Sequence, residues 1–233
     1  MTKEMPEDDQ RPVDLERHSQ ANEPELVTDP DARAAREARN GLRQFDRVIE
    51  MVEYFLHPDR PFRLRGSQLL TLHRDALDGI SSYAGNFRPA AIAIGGSKHQ
   101  PVGAHQVPEA VEELCDYVNE NWAKSAIHLA AYCLWRLNWI HPFTDGNGRT
   151  SRALSFLVLC VRLGYRVPGK NTIPDQISAD KTPYYKALEA ADENWRQRRL
   201  DLSELENYLS HLLAKQLASV HEDALRRRNQ LNP

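Results

Sequence analysis

The sequence predicts an all-α domain with one short β-hairpin. Apolar residues recur at helical spacing through most of the chain after residue 29, and only the stretch 87–104 breaks that rhythm. The length of 233 residues fits one good-sized domain, because domains usually hold roughly 100 to 200 residues. With 41% hydrophobic and 27% charged residues, the composition excludes a collagen-like, mainly disordered or membrane-embedded chain.

The first 28 residues differ from the rest in charge and composition. Residues 1–30 carry three Lys or Arg and nine Asp or Glu, a net charge of -6, so the remaining chain is at +3 for a total of -3. Few aromatic residues occur there, and such a segment cannot bury enough surface to offset the entropy of ordering. We therefore expect residues 1–28 to be an acidic, disordered tail and residues 29–233 to form a single helical domain. A body at +3 does not indicate a nucleic-acid-binding surface.

Helix signals follow one another from the end of this tail. Asp29 offers an N-cap and Pro30 the first helical position. The stretch 149–163 is apolar nearly all round, which is typical of a central, buried helix. Apolar periodicity predicts seven helices, at residues 30–56, 67–80, 108–122, 125–140, 149–163, 180–195 and 202–226.

Residues 87–104 read as a hairpin. Short apolar stretches lie on both sides of Gly95, Gly96 and Ser97, which form a turn signal. Pro89 and Pro101 cannot donate to a central ladder, so the edges of this hairpin should be exposed.

Targeting signals are missing from the sequence. The N-terminus is acidic without an apolar signal segment, and the longest apolar runs fall far short of the roughly 18 residues of a spanning helix. Cys115, Cys133 and Cys160 are odd in number and lack CxxC spacing, which indicates buried thiols in a reducing compartment. We expect a cytoplasmic protein, and export by a route without a cleaved signal stays open.

The polar loop between the two most buried predicted helices reads HPFTDGNGRTSR, residues 141–152. Gly146 and Gly148 allow left-handed backbone that turns successive N–H groups toward one point, at the positive end of the following helix. Arg149 and Arg152 are three apart, hence neighbours on the helix surface, and guanidinium groups suit phosphate oxygens. The pattern predicts a site for more than one phosphate.

Two further residues of the loop add chemistry. Asp145 is a lone carboxylate beside the predicted phosphates, which is a usual way to hold Mg²⁺ and so indicates a nucleoside triphosphate. His141 is the one side chain of the loop that can take a proton near neutral pH, and a hydroxyl is the group from which it would take that proton. Each feature alone has a plainer interpretation, as a capping histidine, a turn or a solvated arginine pair. Their joint occurrence within twelve residues favours the phosphate site.

This loop resembles the signature of the Fic (filamentation induced by cAMP) domain family, HPFx(D/N)GNGRxxR, and fills every fixed position. The stretch 84–88, AGNFR, followed by a hairpin, resembles the family's target-positioning flap. The helical pattern from about residue 35 to 215 fits the family's core. The resemblance implies a Fic-type helical bundle with the hairpin as a flap.

The resemblance also implies an activity, the transfer of AMP from ATP to a Ser, Thr or Tyr hydroxyl of a target protein docked at the 87–104 hairpin. His141 would be the general base, and Asp145 would hold the Mg²⁺ that bridges the α- and β-phosphates of ATP. Gly146, Asn147 and Gly148 would form the anion hole, Arg149 and Arg152 would hold the outer phosphates, and Phe143 would anchor the loop in the core.

Other functions stay open at this point. A Doc-like branch phosphorylates its target, but it typically has Ala and Lys where this chain has Gly146 and Gly148, so the glycines favour AMP transfer. Other family members use another nucleotide or a phosphocholine donor, which the loop does not distinguish. A non-catalytic nucleotide-binding regulatory module is a further alternative, against which the intact His141 argues.

One weak sequence motif bears on whether the chain inhibits its own activity. Many family members carry an inhibitory helix of the form (S/T)xxxE(G/N), and the only approach to it here runs from Ser19 to Glu23, with Pro24 in place of Gly or Asn. Because this stretch lies in the predicted tail, we expect no inhibition in cis and no effect of replacing Glu23. The chain would then be unrestrained or held by a separate antitoxin.

Overall fold

The structure, a computed structural model, describes residues 19–20, 23–24 and 26–231. These residues form eight α-helices and a single pair of two-residue strands, so the all-α prediction is confirmed. The strands are β1 (Ser19–Gln20) and β2 (Ala93–Ile94). The helices are α1 (Pro30–Phe55), α2 (Gly66–Leu77), α3 (Val107–Glu120), α4 (Ala126–Ile140), α5 (Asn147–Leu163), α6 (Ile173–Ala179), α7 (Thr182–Arg196) and α8 (Ser203–Leu231).

Helices α4 and α5 form the centre of the domain. They pack against each other along their lengths; α1 and α2 cover α5, while α3, α7 and α8 lie against α4. Nearly all side chains of α5 from Ala153 to Val161 are buried, as its all-round apolar sequence predicts. The loop between these two helices is therefore held at both ends by the most rigid part of the molecule.

The ends of several helices follow their sequence signals. The Asp29 carboxylate accepts from the backbone N–H of Ala32 at 2.7 Å, and Pro30 follows as the first helical residue. Helix α6 is absent from the sequence prediction because seven residues are too few to show a period. Its signals are the N-cap at Thr172, whose hydroxyl accepts from the Asp175 N–H, and Pro174 in the first turn.

The predicted hairpin over 87–104 is wrong in its pairing. A turn does form, with the Ser97 N–H donating to the Ile94 carbonyl at 3.3 Å, but the stretch contains only strand β2. Strand β2 pairs antiparallel with β1 instead, with Ser19 opposite Ile94. Arg88, at the start of the stretch, donates to the carbonyls of both Ala90 and Val102, so one buried side chain links the two arms in place of a backbone ladder.

The predicted tail is also corrected in part. Residues 19–20 form β1, and the Glu23 side chain is half-buried and hydrogen-bonded to the helical domain, so this part of the segment is ordered against it. Residues 1–18, 21–22 and 25, to which the prediction of disorder also applies, lie outside the described residues. The three cysteines are buried and free, as predicted. Among the described residues, no helix combines the length and the apolar character needed to cross a membrane.

Candidate active site

The loop 141–146 runs between two residues in left-handed backbone. His141 closes α4 as its C-cap with φ 53°, and its N–H donates to the Leu137 carbonyl at 2.9 Å. Gly146 opens α5 as its N-cap with φ 76°. A left-handed residue at each end reverses the chain over a short distance, which brings the end of α4 and the start of α5 to one place.

The middle of the loop is anchored in the core, as the sequence predicts for Phe143. This side chain is fully buried and stacks on the His73 ring of α2, with ring centroids 3.7 Å apart. The Asn147 side chain ties the middle of the loop to the start of α5: its Oδ1 accepts from the Phe143 N–H at 2.9 Å and its Nδ2 donates to the Phe143 carbonyl at 2.8 Å. The Asn147 amide thus supports the loop rather than pointing at a phosphate.

His73 is a supporting residue that the sequence analysis did not identify. Its Nε2–H donates to the Asp145 carbonyl at 3.0 Å, and its Nδ1 accepts from the Gly85 N–H at 2.9 Å. A neutral ring with one protonated nitrogen satisfies both bonds. Burial lowers the pKa of His73 to about 4, so this tautomer is present at neutral pH. Its signal in the sequence is a histidine on the apolar face of α2.

Arg88 holds the other side of the loop. Its backbone N–H donates to the Pro142 carbonyl at 2.9 Å, and its Nε donates to the His141 carbonyl at 2.8 Å. The side chain is 2% exposed, and burial lowers its pKa without offering it a carboxylate partner among these bonds. A buried guanidinium that donates only to carbonyl groups fixes the backbone of His141 on one side and the 90–102 stretch on the other.

The His141 ring has a definite tautomer. Its Nδ1 lies 3.2 Å from the Asn138 carbonyl, which can only accept, so Nδ1 carries the proton and Nε2 is left as an acceptor. The Ser19 hydroxyl, 2.9 Å from Nε2, therefore donates to it. Burial lowers the pKa of His141 to about 4, which keeps the ring neutral at pH 7. This is the state in which a histidine takes a proton from a hydroxyl.

The start of α5 offers backbone donors to the same space. The first intrahelical bond runs from the Thr150 N–H to the Gly146 carbonyl at 2.9 Å, so the N–H groups of Asn147, Gly148 and Arg149 precede the helical ladder. The Gly146 N–H is taken by the Asp145 carboxylate at 2.6 Å. The prediction of left-handed backbone holds for Gly146 but is wrong for Gly148, which is an ordinary residue of the first helical turn.

Asp145 lies in a network of charges. Its Oδ2 is 3.0 Å from Arg149 and 3.7 Å from Arg33 of α1. Glu37, one turn further along α1, contacts both Arg33 and Arg149, at 3.3 and 3.7 Å. Arg33 and Glu37 were not identified from the sequence, because their spacing on an exposed helix face is that of an ordinary i, i+4 pair.

One cavity of about 430 Å³ brings all predicted site residues together. Its cationic side chains include Arg149 and Arg152, which lie beside the start of α5, and Lys181. Its other wall is largely aromatic, formed by side chains of α4 and α7. The predicted site residues in its lining are His141, Asp145, Gly146, Asn147, Gly148, Arg149 and Arg152, and the aromatic wall consists of Trp135, Trp139, Tyr184 and Tyr185.

The N-terminal segment reaches this cavity, contrary to the sequence analysis. Ser19 is among the lining residues, and the Glu23 carboxylate accepts from Ser81, Ser82 and Thr144 on the adjoining surface. Partial burial raises the pKa of Glu23, but hydrogen bonds from Ser81, Thr144 and Ser82 outweigh it, so the pKa lies below its usual range. The expectation that Glu23 has no role thus loses its structural basis.

Comparison with known proteins gives a family match for the part of the chain that contains the loop. Residues 63–159 match the model of the Fic/DOC family. Protein adenylyltransferase Fic of Drosophila willistoni is 34% identical over 128 residues, which are 54% of this chain and 24% of that protein. Protein adenylyltransferase fic-1 of Caenorhabditis briggsae is 35% identical over 100 residues, 42% of this chain and 19% of that protein. Residues 63–159 are thus similar to a Fic domain.

Solved structures show the same fold over most of this chain. A Fic domain containing signaling protein from Bacteroides thetaiotaomicron aligns with a TM-score of 0.65 at 22% identity, covering 82% of this chain and 73% of that one. Fic-1 of Caenorhabditis elegans aligns with a TM-score of 0.61 at 22% identity, covering 88% of this chain and 55% of that one. The chain spans only about a quarter of the length of the curated relatives that it matches.

Proposed function

We propose that the chain is a protein adenylyltransferase, which transfers AMP from ATP to a hydroxyl side chain of a target protein and releases pyrophosphate. The observation that carries the proposal is the pairing of a neutral His141, whose Nε2 accepts from a hydroxyl at 2.9 Å, with the donors of α5 in one cavity. The hydroxyl that receives AMP and the ATP that supplies it can thus be bound in the same cavity. The curated relatives named protein adenylyltransferase support the same reaction.

Each part of the cavity has a task in this reaction. The His141 Nε2 takes the proton of the attacking hydroxyl, and Asn138 keeps the ring in the required tautomer. The first N–H groups of α5, with Arg149 and Arg152, bind phosphate oxygens and neutralise the charge that moves onto the leaving pyrophosphate. The aromatic wall of α4 and α7 offers an apolar surface to a purine ring.

The residues present fit a magnesium ion that arrives with the nucleotide. Asp145 presents one carboxylate to the cavity, and the described residues contain no cluster of three metal-ligating side chains that would bind a metal on their own. Mg²⁺ with a single carboxylate takes its remaining ligands from phosphates and water. When held by Asp145, it would neutralise negative charge on the phosphates of the nucleotide. Asp145 would exchange its contact with Arg149 for this ion.

Strand β2 is the proposed docking edge for a target, whose extended segment would replace β1 there. An extended peptide that adds to this edge receives backbone hydrogen bonds with little demand on its sequence, and a side chain at the register of Ile94 then lies beside His141.

The nature of the transferred group is tested with ATP labelled at different phosphates. The purified chain, a cell lysate, Mg²⁺ and ATP are incubated, and labelled proteins are separated and identified by mass spectrometry. We expect label from the α-phosphate on target proteins and none from the γ-phosphate. Label from the γ-phosphate alone would contradict AMP transfer and indicate a phosphorylating enzyme.

The role of His141 is tested with His141→Ala. We expect transfer to fall by at least about a thousandfold while ATP affinity stays within a fewfold, because the base contacts the proton and not the phosphates. Labelling and equilibrium binding of ATP are measured on the same preparation. Equal loss of binding and transfer would show that the ring is structural.

A further inference from the structure

A second cavity, of about 740 Å³, adjoins the candidate active site. His99, Trp139 and Asp192 line both cavities, so the two share a wall. The ring of His99 is held in this wall by its Nε2–H, which donates to the Trp139 carbonyl at 2.7 Å. We call this second cavity the side cavity. The proposed function makes no use of it.

Positive charge dominates the side cavity. Its lining holds the cationic side chains of Lys98, Arg196 and Arg198 and one carboxylate, that of Asp192. The Asp192 carboxylate accepts from the Trp135 Nε1–H at 2.9 Å. Arg196 pairs with a neighbouring carboxylate of α7, whereas Lys98 and Arg198 form no ion pair with any residue that the structure describes. Two cations of the lining can therefore bind an anion from outside.

A further cation lies behind the aromatic wall of the side cavity. The guanidinium carbon of Arg136 is 4.3 Å from the ring centroid of Trp139 and 5.3 Å from that of Trp195. Its Nη2 donates to Glu113 at 2.9 Å, but its Nε and Nη1 are buried without a hydrogen-bond partner among the described residues. The cation–π contacts hold both rings in place. The buried charge also makes the potential in the side cavity more positive.

Arg198 has a backbone conformation that is unusual for its residue type. Its φ is 59°, and its N–H donates to the Trp195 carbonyl at 2.8 Å where α7 ends. Glycine is the usual residue in such a turn, because left-handed backbone is unfavourable for a residue with a Cβ. An arginine kept where glycine would be more stable indicates a task for its side chain outside the fold.

A target bound along β2 runs toward the side cavity. Strand β1 is antiparallel to β2, and Ser19, whose Oγ lies 2.9 Å from the His141 Nε2, is opposite Ile94. In a target that replaces β1 in this register, the residue before the acceptor is opposite Gly95, and earlier residues continue toward Lys98. Residues after the acceptor run the other way. The side cavity is therefore within reach of the part of a target that precedes the modified residue.

We propose that the side cavity binds an acidic side chain of the target protein, located N-terminal to the hydroxyl that receives AMP. The inference rests on the proposed function. The acidic group lies between Lys98 and Arg198, and Trp195, which is 36% exposed, offers an apolar surface to the residues beside it. Complementary charge at an interface selects partners and speeds their encounter. The chain thus prefers targets with Asp or Glu before the modified residue.

The preference is tested on the proteins that become labelled in a cell lysate. The chain is incubated with the lysate, Mg²⁺ and ATP labelled at the α-phosphate, and the modified residues are located by peptide mass spectrometry. We expect Asp and Glu to be enriched about two to five positions before the modified hydroxyl, the span that an extended segment needs to pass the turn after β2. Unmodified hydroxyl residues of the same proteins are the reference. No enrichment, or enrichment only after the hydroxyl, would overturn the inference.

Charge reversal tests the two cations directly. In the double variant Lys98→Glu, Arg198→Glu, transfer to sites preceded by an acidic residue should fall about fivefold for each cation that is lost. Sites preceded by Lys or Arg should take their place. Arg63→Glu is the matched control, because Arg63 is an exposed cation outside both cavities, and it should leave the selection of sites unchanged. Identical selection by the double variant and the unchanged chain would contradict the inference.

Arg198→Gly separates the charge of this residue from its effect on the fold. Glycine adopts φ 59° without strain, so the melting temperature should not fall, whereas transfer to sites preceded by an acidic residue should. Arg198→Lys keeps a positive charge and should retain part of the selection. A loss of selection as large in Arg198→Lys as in Arg198→Gly would show that the charge is not what selects the target.

Failure of this inference is distinguishable from failure of the proposed function. If proteins take up AMP without regard to preceding acidic residues, the inference is wrong and the activity stands. If nothing takes up AMP, both are wrong. Equilibrium binding of ATP to the double variant should stay within a fewfold of that to the unchanged chain. A loss of ATP affinity that accounts for the loss of transfer would show that the side cavity serves the nucleotide, and the inference would be wrong.

Discussion

His141 has a backbone conformation that few residues other than glycine adopt. A left-handed residue with a Cβ costs roughly 1–2 kcal/mol, and such a cost persists only where the surroundings fix it. Here the Leu137 carbonyl accepts its N–H and Arg88 donates to its carbonyl. This conformation places the ring so that its Nδ1 bonds to the Asn138 carbonyl of α4 while its Nε2 faces the cavity.

The two glycines of the loop have different tasks, and alanine substitutions should separate them. In Gly146→Ala the new Cβ would clash with the Leu77 Cδ2, in addition to the strain of φ 76°. Overpacking costs about 1–3 kcal/mol and the left-handed backbone roughly 1 kcal/mol more, so the melting temperature should fall by roughly 10 °C. Thermal unfolding followed by circular dichroism measures this loss.

Gly148→Ala is the matched variant. Its Cβ meets only the end of the Arg152 side chain, at 3.2 Å, and alanine favours a helix by about 1 kcal/mol over glycine. The melting temperature should stay constant or rise, while the KM for ATP rises at least about tenfold because the methyl group enters the phosphate side of the cavity. A similar loss of stability in Gly146→Ala and Gly148→Ala would contradict the view that only Gly146 is required by the fold.

At the scale of elements, the sequence predicts helices well and the stretch 87–104 poorly. Seven helices show their apolar period, and all seven are present. Helix α6 is too short for a period, and the partner of β2 lies about seventy residues away along the chain, where no local pattern indicates it. A two-residue strand is defined by its partner rather than by its own residues.

Arg88 links these elements, and its replacement should affect the site more than the fold. Arg88→Met removes donors from the carbonyls of His141, Ala90 and Val102. Buried acceptors without partners should cost on the order of 3 kcal/mol in total, and kcat should fall more than KM for ATP rises, because His141 loses its support. Urea unfolding measures the loss of stability, and initial rates of AMP transfer measure kcat and KM.

Arg88→Lys and Arg39→Met serve as comparisons. Lysine keeps the charge but its single nitrogen does not reach three carbonyls on separate segments, so Arg88→Lys should retain part of the stability and little of the rate. Arg39 lies on the exposed face of α1, and its replacement should change neither. An unchanged kcat in Arg88→Met would show that His141 is oriented without it.

For the whole molecule, the sequence predicts the chemistry of one loop but not the residues that surround it. The seven predicted site residues are contiguous or nearly so, and their spacing is visible. Arg33, Glu37 and His73 come from elements that are distant from the loop in the chain, and each alone looks like part of a surface ion pair or an isolated polar residue. Composition predicts that Ser19 lies in a disordered tail, because composition describes a segment on its own and not the strand edge with which it pairs.

The two buried histidines make the stability of the molecule sensitive to acid. The pKa of His73 and that of His141 are each lowered to about 4 by burial, below the value of about 6.5 expected in the unfolded chain. Between these values the unfolded state binds more protons, so the free energy of unfolding falls as pH falls from 6.5 toward 4. Each histidine contributes a slope of up to about 1.4 kcal/mol per pH unit.

His73→Leu isolates one of these contributions. At pH 7.5 the variant should be less stable by on the order of 2–4 kcal/mol, because the Asp145 carbonyl and the Gly85 N–H lose their buried partner. As pH falls through the window between 6.5 and about 4, the unchanged chain loses up to about 3 kcal/mol that the variant does not lose, so the two stabilities converge. Urea unfolding at half-unit steps of pH measures both curves, and His57→Gln, at an exposed position, should follow the unchanged chain. Curves that stay parallel down to pH 4.5 would mean that His73 is already protonated in the folded protein, and the hydrogen bond from Gly85 to its Nδ1 would then be wrong.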